Sequence, residues 1–301
     1  MTREKAIRFG ATASMVGIVT EPHASADASD KTAVIFINSG IVHRVGACRL
    51  HTQIARSLAP AGITSLRFDL SGIGDSDARR DTLSFEESSV IETREAMDYL
   101  ASTKGIKNFV LAGLCSGADV AHLTAAADAR VTGLVMFDAW CYRNVGFYIR
   151  HYGPRLFKLS VWKHSIAVRR EQMFAPKKAP AATGDDVVYE MPRYVRVFPP
   201  KKKVAADLKN FAARKMNIFV VMTGGQEEIY NHQSQYESSF SGIDFGGRLR
   251  VEFLKDATHI FTGLDHQEFL VREVGKWMRG VSVVPGRTPA KAVPLSSAIR
   301  V

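Results

Sequence analysis

The sequence predicts an α/β fold: a mostly parallel central sheet flanked by helices. Three observations predict it. Short apolar runs alternate with stretches of helical period along most of the 301 residues. The runs are continuously apolar and β-branched, as buried parallel strands are, and few show an in/out alternation. Gly- or Asp-bearing turns close most of them, and strands alternating with helices require covered parallel pairs joined by right-handed crossovers.

The N-terminal "KAIRFG" and "ASMVGIVTEP" read as an antiparallel hairpin. After the polar linker "HASADASD", "TAVIFINSG" reads as a fully buried strand stopped by Gly40. "RLHTQIARSLAPAG" places Leu50, Ile54 and Leu58 at helical spacing, with Gly62 as the stop. The strand "ITSLRFDL" leads into the turn "SGIGDSD". In "SFEESSVIETREAMDYLAS", Ser84 and Glu87 form a capping box at the start of a helix. "KNFVLAGL" is a strand, "SGADVAHLTAAAD" a helix and "VTGLVMFDAW" a strand.

The rhythm breaks over residues 141–215, a basic, aromatic, Pro-bearing span containing "PKKAPAATGDD" and "VFPPKKK", predicted here to be an inserted cap. The core then resumes with the strand "MNIFVVMTGG", the polar helix "YNHQSQYESSF", the strand "LRVEFLKDATH" and the helix "HQEFLVREVGKWMRG". The expected division is therefore a core of 1–140 and 216–280, a cap of 141–215 and a loose tail of 281–301.

Hydrophobic residues at 46% and charged ones at 23% fit an ordinary soluble globular protein. "MTREKAIRFG" lacks the apolar centre of a signal peptide, and no run approaches the roughly 18 apolar residues of a membrane span. Cys48, Cys115 and Cys141 have no metal-ligand spacing, which predicts reduced thiols, a cytoplasmic location and no metal. No cofactor is expected either: "SGIGDS" lacks the third glycine of a dinucleotide fingerprint, and there is no phosphate-loop lysine motif. The net charge of +10 is concentrated in the predicted cap, with 17 Lys+Arg against 5 Asp+Glu; the rest has 23 against 25. Such a field suits a small anionic acyl substrate, while nucleic acid is not expected without a reading motif.

The chemistry centres on "GLCSG", a small-x-nucleophile-x-small turn between strand and helix. A nucleophile on so sharp a turn needs small residues two before and two after it. Centred on Cys115, these are Gly113 and Gly117; centred on Ser116, they would be Leu114 and Ala118, and the leucine does not fit. Cys115 is therefore the candidate nucleophile, and the helix start behind it favours a thiolate. The competing explanation is an inert buried cysteine in a tight bend. Of nine histidines, only His259 directly follows a late strand, where parallel-sheet ligands gather, so it is the candidate base. For the acid, "VVMTGGQEE" offers Glu227 just past a strand, with Glu228 and Asp256 as alternatives. Oxyanion donors are expected from the Ser116 N–H and from Ile41 or Gly40 in the loop after "AVIFINSG".

Together, the turn, "TAVIFINSG", "LRFDLSGIGDSD" and "DATHIFTG" resemble the α/β-hydrolase superfamily. More narrowly, "HRVGACRLHTQIARSLAPAGITSLRFDLSGIGDSD" followed by "GLCSGA" resembles the exosortase A-associated hydrolases, which accompany exopolysaccharide gene clusters. The resemblance spans roughly residues 5–280, most closely 33–125, and implies a triad of Cys115, His259 and an acid. The sequence departs from the pattern in "GGQEE", which lacks an obvious Asp, and in "NSG", which replaces the usual His-Gly. The expected activity is hydrolysis of an ester or acyl thioester through an acyl-cysteine. Acyl transfer from the same intermediate, or a non-catalytic binding protein using its basic cap, are the alternatives.

Overall fold

The computed structural model describes residues 2–22, 32–156 and 196–281. The linker "HASADASD", most of the predicted cap, including "PKKAPAATGDD", and all but the first residue of the predicted tail lie outside the described residues.

Eight strands form one sheet in the order β1-β2-β4-β3-β5-β6-β7-β8. β1 (Arg3–Phe9) and β2 (Met15–Glu21) pair antiparallel, with Arg3 opposite Glu21 and Phe9 opposite Met15, as the hairpin reading expects. β2 joins β4 (Thr64–Phe68) antiparallel. All other pairings are parallel: β3 (Thr32–Ile37) with β4 and β5 (Asn108–Leu114), then β6 (Val131–Phe137), β7 (Asn217–Thr223) and β8 (Leu249–Leu254).

The strands are apolar on both faces because both are covered. Along β3, Ala33, Ile35 and Ile37 enter one core while Val34 and Phe36 enter the other. β5, β6 and β7 divide in the same way, Leu111 opposing Val110 and Val220 opposing Val221. A period of two on a strand buried on both sides gives this continuous apolar pattern. On one face lie α1 (Leu50–Leu58) and α7 (Leu264–Val281), burying Ile54, Leu58, Leu270 and Met278. On the other lie α2 (Phe85–Lys104) and α3 (Ser116–Ala127).

The start of α2 is fixed by the expected capping box. The Glu87 N–H donates to Ser84 Oγ at 3.3 Å, and the Ser84 N–H donates to the Glu87 carboxylate at 3.0 Å. Within the span read as a cap, α4 (Val145–Leu156) follows β6, and α5 (Lys201–Ala213) precedes β7. α5 buries Val204, Leu208 and Phe211 in the core it shares with α2 and α3, so this part of the span serves as a crossover helix of the sheet. "YNHQSQYESSF" differs from expectation, since only α6 (Gln235–Ser239) is helical. Tyr230 and Tyr236 are fully buried there. The Gln235 side chain accepts the Asn231 N–H at 3.0 Å and donates to the Ile229 carbonyl at 2.6 Å, tying an irregular turn. Among the described residues no helix is long and apolar enough to cross a membrane, and no group of three or more His, Cys, Asp or Glu could hold a metal ion.

Candidate active site

At the end of β5 the chain reverses through Cys115, whose backbone has φ 54° and ψ −117°. A non-glycine residue held there costs about 1–3 kcal/mol and persists only where its surroundings over-determine it. Here they do. The Cys115 N–H extends the ladder by one bond to the Phe137 carbonyl (2.9 Å), and its carbonyl accepts the Asp119 N–H of α3 (3.1 Å). The flanking glycines permit the approach. A Cβ on Gly117 would sit 2.6 Å from the Asn38 carbonyl oxygen and 2.7 Å from that of Ile37; one on Gly113 would run into the Gly117 carbonyl. The small residues required on steric grounds are thus wedged between β3 and the start of α3. Cys115 is a free thiol, partly exposed, while Ser116 is buried.

One strand over, β6 ends in Asp138, also at positive φ (48°), with its N–H donating to the Val221 carbonyl of β7 at 2.8 Å. Its carboxylate is buried and saturated. Oδ1 accepts the Thr223 N–H at 2.7 Å; Oδ2 accepts the Thr223 hydroxyl at 2.8 Å and His259 Nδ1 at 2.6 Å. A carboxylate only accepts, so Nδ1 carries a proton and Nε2 is left for Cys115. The hydrogen bond to the Asp138 carboxylate first, then the influence of the Cys115 side chain, push His259 from 6.5 up to about 9 against the opposing effect of burial. The ring is therefore an imidazolium at neutral pH.

His259 reaches this position because its loop crosses directly above the turn that follows β7. The Gly225 N–H donates to the Ala257 carbonyl at 3.1 Å. A Cβ on Gly224 would strike the Lys255 carbonyl, and one on Gly225 the His259 backbone N. The glycine pair of "GGQEE" thus lets the histidine loop lie on the β7 turn. Glu227, Glu228 and Asp256, the sequence's candidates for the acid, are exposed, and none hydrogen-bonds His259. The carboxylate at His259 is Asp138, which sequence reasoning missed. Its signal was present in "VMFDAW", an acid directly past a strand, by the same rule that singled out His259.

The loop after β3 carries the remaining candidates. Asn38 bridges it, Nδ2 donating to the Val42 carbonyl and Oδ1 accepting the Leu70 N–H, both at 2.8 Å. Buried Asp69 accepts the Arg44 N–H at 2.6 Å and pairs with the Arg44 guanidinium, so the "FDLSGIGDSD" turn braces the loop from behind. The Gly40 N–H, predicted as an oxyanion donor, donates instead to Ser116 Oγ at 2.8 Å. Ile41, the next residue, is 94% exposed.

The fold has many structural counterparts. A lidless α/β serine hydrolase from Xanthomonas campestris is 14% identical, with 95% of this chain and 97% of that one covered and a TM-score of 0.53. Est1E from Butyrivibrio proteoclasticus is 14% identical over 92% of this chain and 98% of its own, with a TM-score of 0.55. An esterase from Pyrococcus furiosus is 13% identical over 93% and 92%, with a TM-score of 0.54. The chain has the α/β-hydrolase fold. At such identities the likeness extends to the fold alone. No protein-family model and no curated protein matches the sequence. On this α/β-hydrolase scaffold, Cys115, Asp138 and His259 follow β5, β6 and β8, all at the carboxyl edge of the sheet where ligands of open α/β sheets bind.

Proposed function

We propose that the chain is an acyl hydrolase that cleaves a carboxylic ester or acyl thioester through an acyl-cysteine, with Cys115 as nucleophile, His259 as acid and base, and Asp138 as the orienting carboxylate. The observation that carries this reading is His259, bonded through Nδ1 to buried Asp138 at 2.6 Å and raised to about 9 by Asp138 and then by the side chain of Cys115, a cysteine in a strained strand-to-helix turn. Nucleophile, base and orienting group are linked in series, as covalent acyl transfer requires.

The reaction begins from imidazolium and thiolate. Cys115 Sγ attacks the acyl carbon, and the carbonyl π electrons move to oxygen. The Ile41 and Ser116 N–H groups receive that oxyanion, Gly40 being committed to Ser116 Oγ. The intermediate collapses, the bond to the leaving group breaks, and His259 Nε2–H protonates the departing alkoxide or thiolate. Neutral His259 then takes a proton from water, the resulting hydroxide attacks the thioester, and Cys115 leaves as thiolate beside the re-formed imidazolium. Exposed Ile41 and Ile260 neighbour the donor loop and His259 in sequence, which suits an acyl chain at the entrance. The basic span 141–215 suits an anionic leaving group. The resemblance to the exosortase A-associated hydrolases supports a setting in exopolysaccharide biosynthesis.

The test is intact-mass spectrometry after incubation with p-nitrophenyl esters and acyl thioesters, alongside steady-state turnover. An acyl adduct on Cys115 and turnover abolished by Cys115→Ala are expected. Turnover that survives Cys115→Ala overturns the proposal. An adduct that discharges only when an alcohol, amine or thiol acceptor is added converts it to acyl transfer.

A further inference from the structure

Arg196 lies at the carboxyl end of the predicted cap's central stretch and is absent from the machinery above, yet it touches two of its three turns. Nη1 donates to the Asp138 carbonyl at 3.0 Å, and Nη2 to the Cys115 carbonyl at 3.4 Å. Nε donates to Asp119 Oδ2 at 2.6 Å, and Nη2 also pairs with Asp119 Oδ1. Only 13% of the Arg196 side chain is exposed, and its guanidinium stacks 5.0 Å from the Phe198 ring centroid. Asp119 stands one helical turn past the nucleophile, and its own N–H donates to the same Cys115 carbonyl. One planar fork therefore spans the turn after β5, the turn after β6 and the first turn of α3.

The two carbonyls it holds belong to Cys115 and Asp138, both at positive φ. The Cys115 carbonyl already accepts the Asp119 N–H and takes Arg196 as a second donor, whereas the Asp138 carbonyl takes its donor from Arg196, and unpaired buried carbonyls are costly. A guanidinium can supply two at once in fixed geometry, whereas an ammonium is a single point. We propose that Arg196 is a positioning residue for the reaction: its fork, aimed by Asp119, sets the spacing between the nucleophile turn and the acid turn, and so aligns His259 with Cys115. The inference rests on the triad proposed above and adds a residue from the inserted span to it.

The experiment compares wild type, Arg196→Met and Arg196→Lys in the full chain. It reads kcat and KM on a p-nitrophenyl ester and the rate of Cys115 alkylation by iodoacetamide as a function of pH. Displacement of a reacting group by about 1 Å costs on the order of a hundredfold. Arg196→Met should therefore lower kcat by about 10- to 100-fold with KM changed less than about twofold, and should distort the alkylation profile. Arg196→Lys, able to keep Asp119 and one carbonyl, should fall between the two. If either folded variant retains wild-type kcat and an unchanged alkylation profile, Arg196 is structural only and the proposal fails. Should Arg196→Met not fold, Arg196→Lys carries the same comparison. A wild-type chain that neither turns over nor alkylates selectively at Cys115 overturns the triad, and the Arg196 role with it.

Discussion

Replacing Asp138 by Asn keeps the shape of the side chain and removes its charge, which makes it the sharpest probe of the site. Thr223 N–H and hydroxyl both donate to the carboxylate, so an amide oxygen is held on the Thr223 N–H side, where Oδ1 now sits. That leaves the amide NH2 facing His259 Nδ1 in place of Oδ2. The ring must then accept at Nδ1 and carry its proton on Nε2, the wrong tautomer for taking a proton. The charge effect has the same sign. His259 rises from 6.5 to about 9 with Asp138 as its first cause, and at about 1.4 kcal/mol per unit this is about 3 kcal/mol of preference for the imidazolium. It is a ceiling, because Cys115 shares the effect and 27% of the histidine side chain is open to water.

The assay is the pH dependence of Cys115 alkylation together with kcat/KM on an aryl ester. In wild type the alkaline limb should fall near pH 9. In Asp138→Asn it should move toward 6.5 or below, with kcat/KM down by about 10²- to 10⁴-fold. Glu227→Gln should leave both within about twofold, since Glu227 is exposed and away from the ring. The reasoning is refuted if Glu227→Gln moves the limb and Asp138→Asn does not.

Other perturbations report on the surroundings. Ser116→Ala removes the acceptor of the Gly40 N–H and should cost about 0.5–1.5 kcal/mol in transition-state stabilisation, read as lower kcat at near-constant KM. Gly117→Ala forces a Cβ to 2.6 Å from the Asn38 carbonyl oxygen and should destabilise by about 1–3 kcal/mol in urea titration, with activity lost. His259 is raised in the folded state, so its stabilisation is complete below about pH 6.5 and is lost as pH rises through about 9; His259→Gln should flatten that alkaline decline in the urea midpoint. Buried His51 is the opposite case. Burial first, then nearby Arg67, lower it to about 4, so its stabilisation is present above about 6.5 and is lost as pH falls toward 4. His51→Leu should weaken that acid-side loss, measured as urea midpoint between pH 4 and 7.

The fold was largely legible because its signals are local. Buried parallel strands announce themselves as continuous apolar runs, and the capping box at Ser84 and Glu87 lies within four residues of sequence. The tight turn at Cys115 is legible for the same reason, since the glycines it needs, Gly113 and Gly117, lie two positions away on either side. Pairings between distant segments were not. Asp138 and His259 are 121 residues apart, and nothing local distinguishes Asp138 in "VMFDAW" from Glu227 in "GGQEE". Arg196 pairs across 77 residues to Asp119 and looked like one more charge in a basic span. The irregular first half of "YNHQSQYESSF", residues 230–234, reads as part of a polar helix in sequence because the hydrogen bonds of Gln235 that replace helical ones are set by tertiary contacts.

Sheet order explains why the carboxylate at His259 comes from the end of β6 when the turn after β7 offers carboxylates of its own. Cys115 and Asp138 end adjacent parallel strands, and each adds one ladder bond to the next strand before turning back: Cys115 to Phe137, Asp138 to Val221. Neighbouring strands lie about 4.8 Å apart, so Cys115 and Asp138 are separated by little more than the width of one imidazole. His259 starts from β8, two strands beyond β6, and its loop must pass over the end of β7 to reach between them. A carboxylate side chain rising from that crossing would occupy the space the loop needs. The chain instead places Gly224 and Gly225 there, so closely packed that any Cβ would collide with Lys255 or His259. The β7 turn is thereby the floor beneath the histidine loop, and Glu227 and Glu228 emerge past it into solvent. Restoring bulk to the floor tests this directly. Gly225→Ala should lift the loop, lengthen the His259–Asp138 bond and lower kcat by on the order of a hundredfold, without touching any reacting group. Wild-type turnover in that variant, with the His259 titration still near 9, would show that the crossing does not set the geometry.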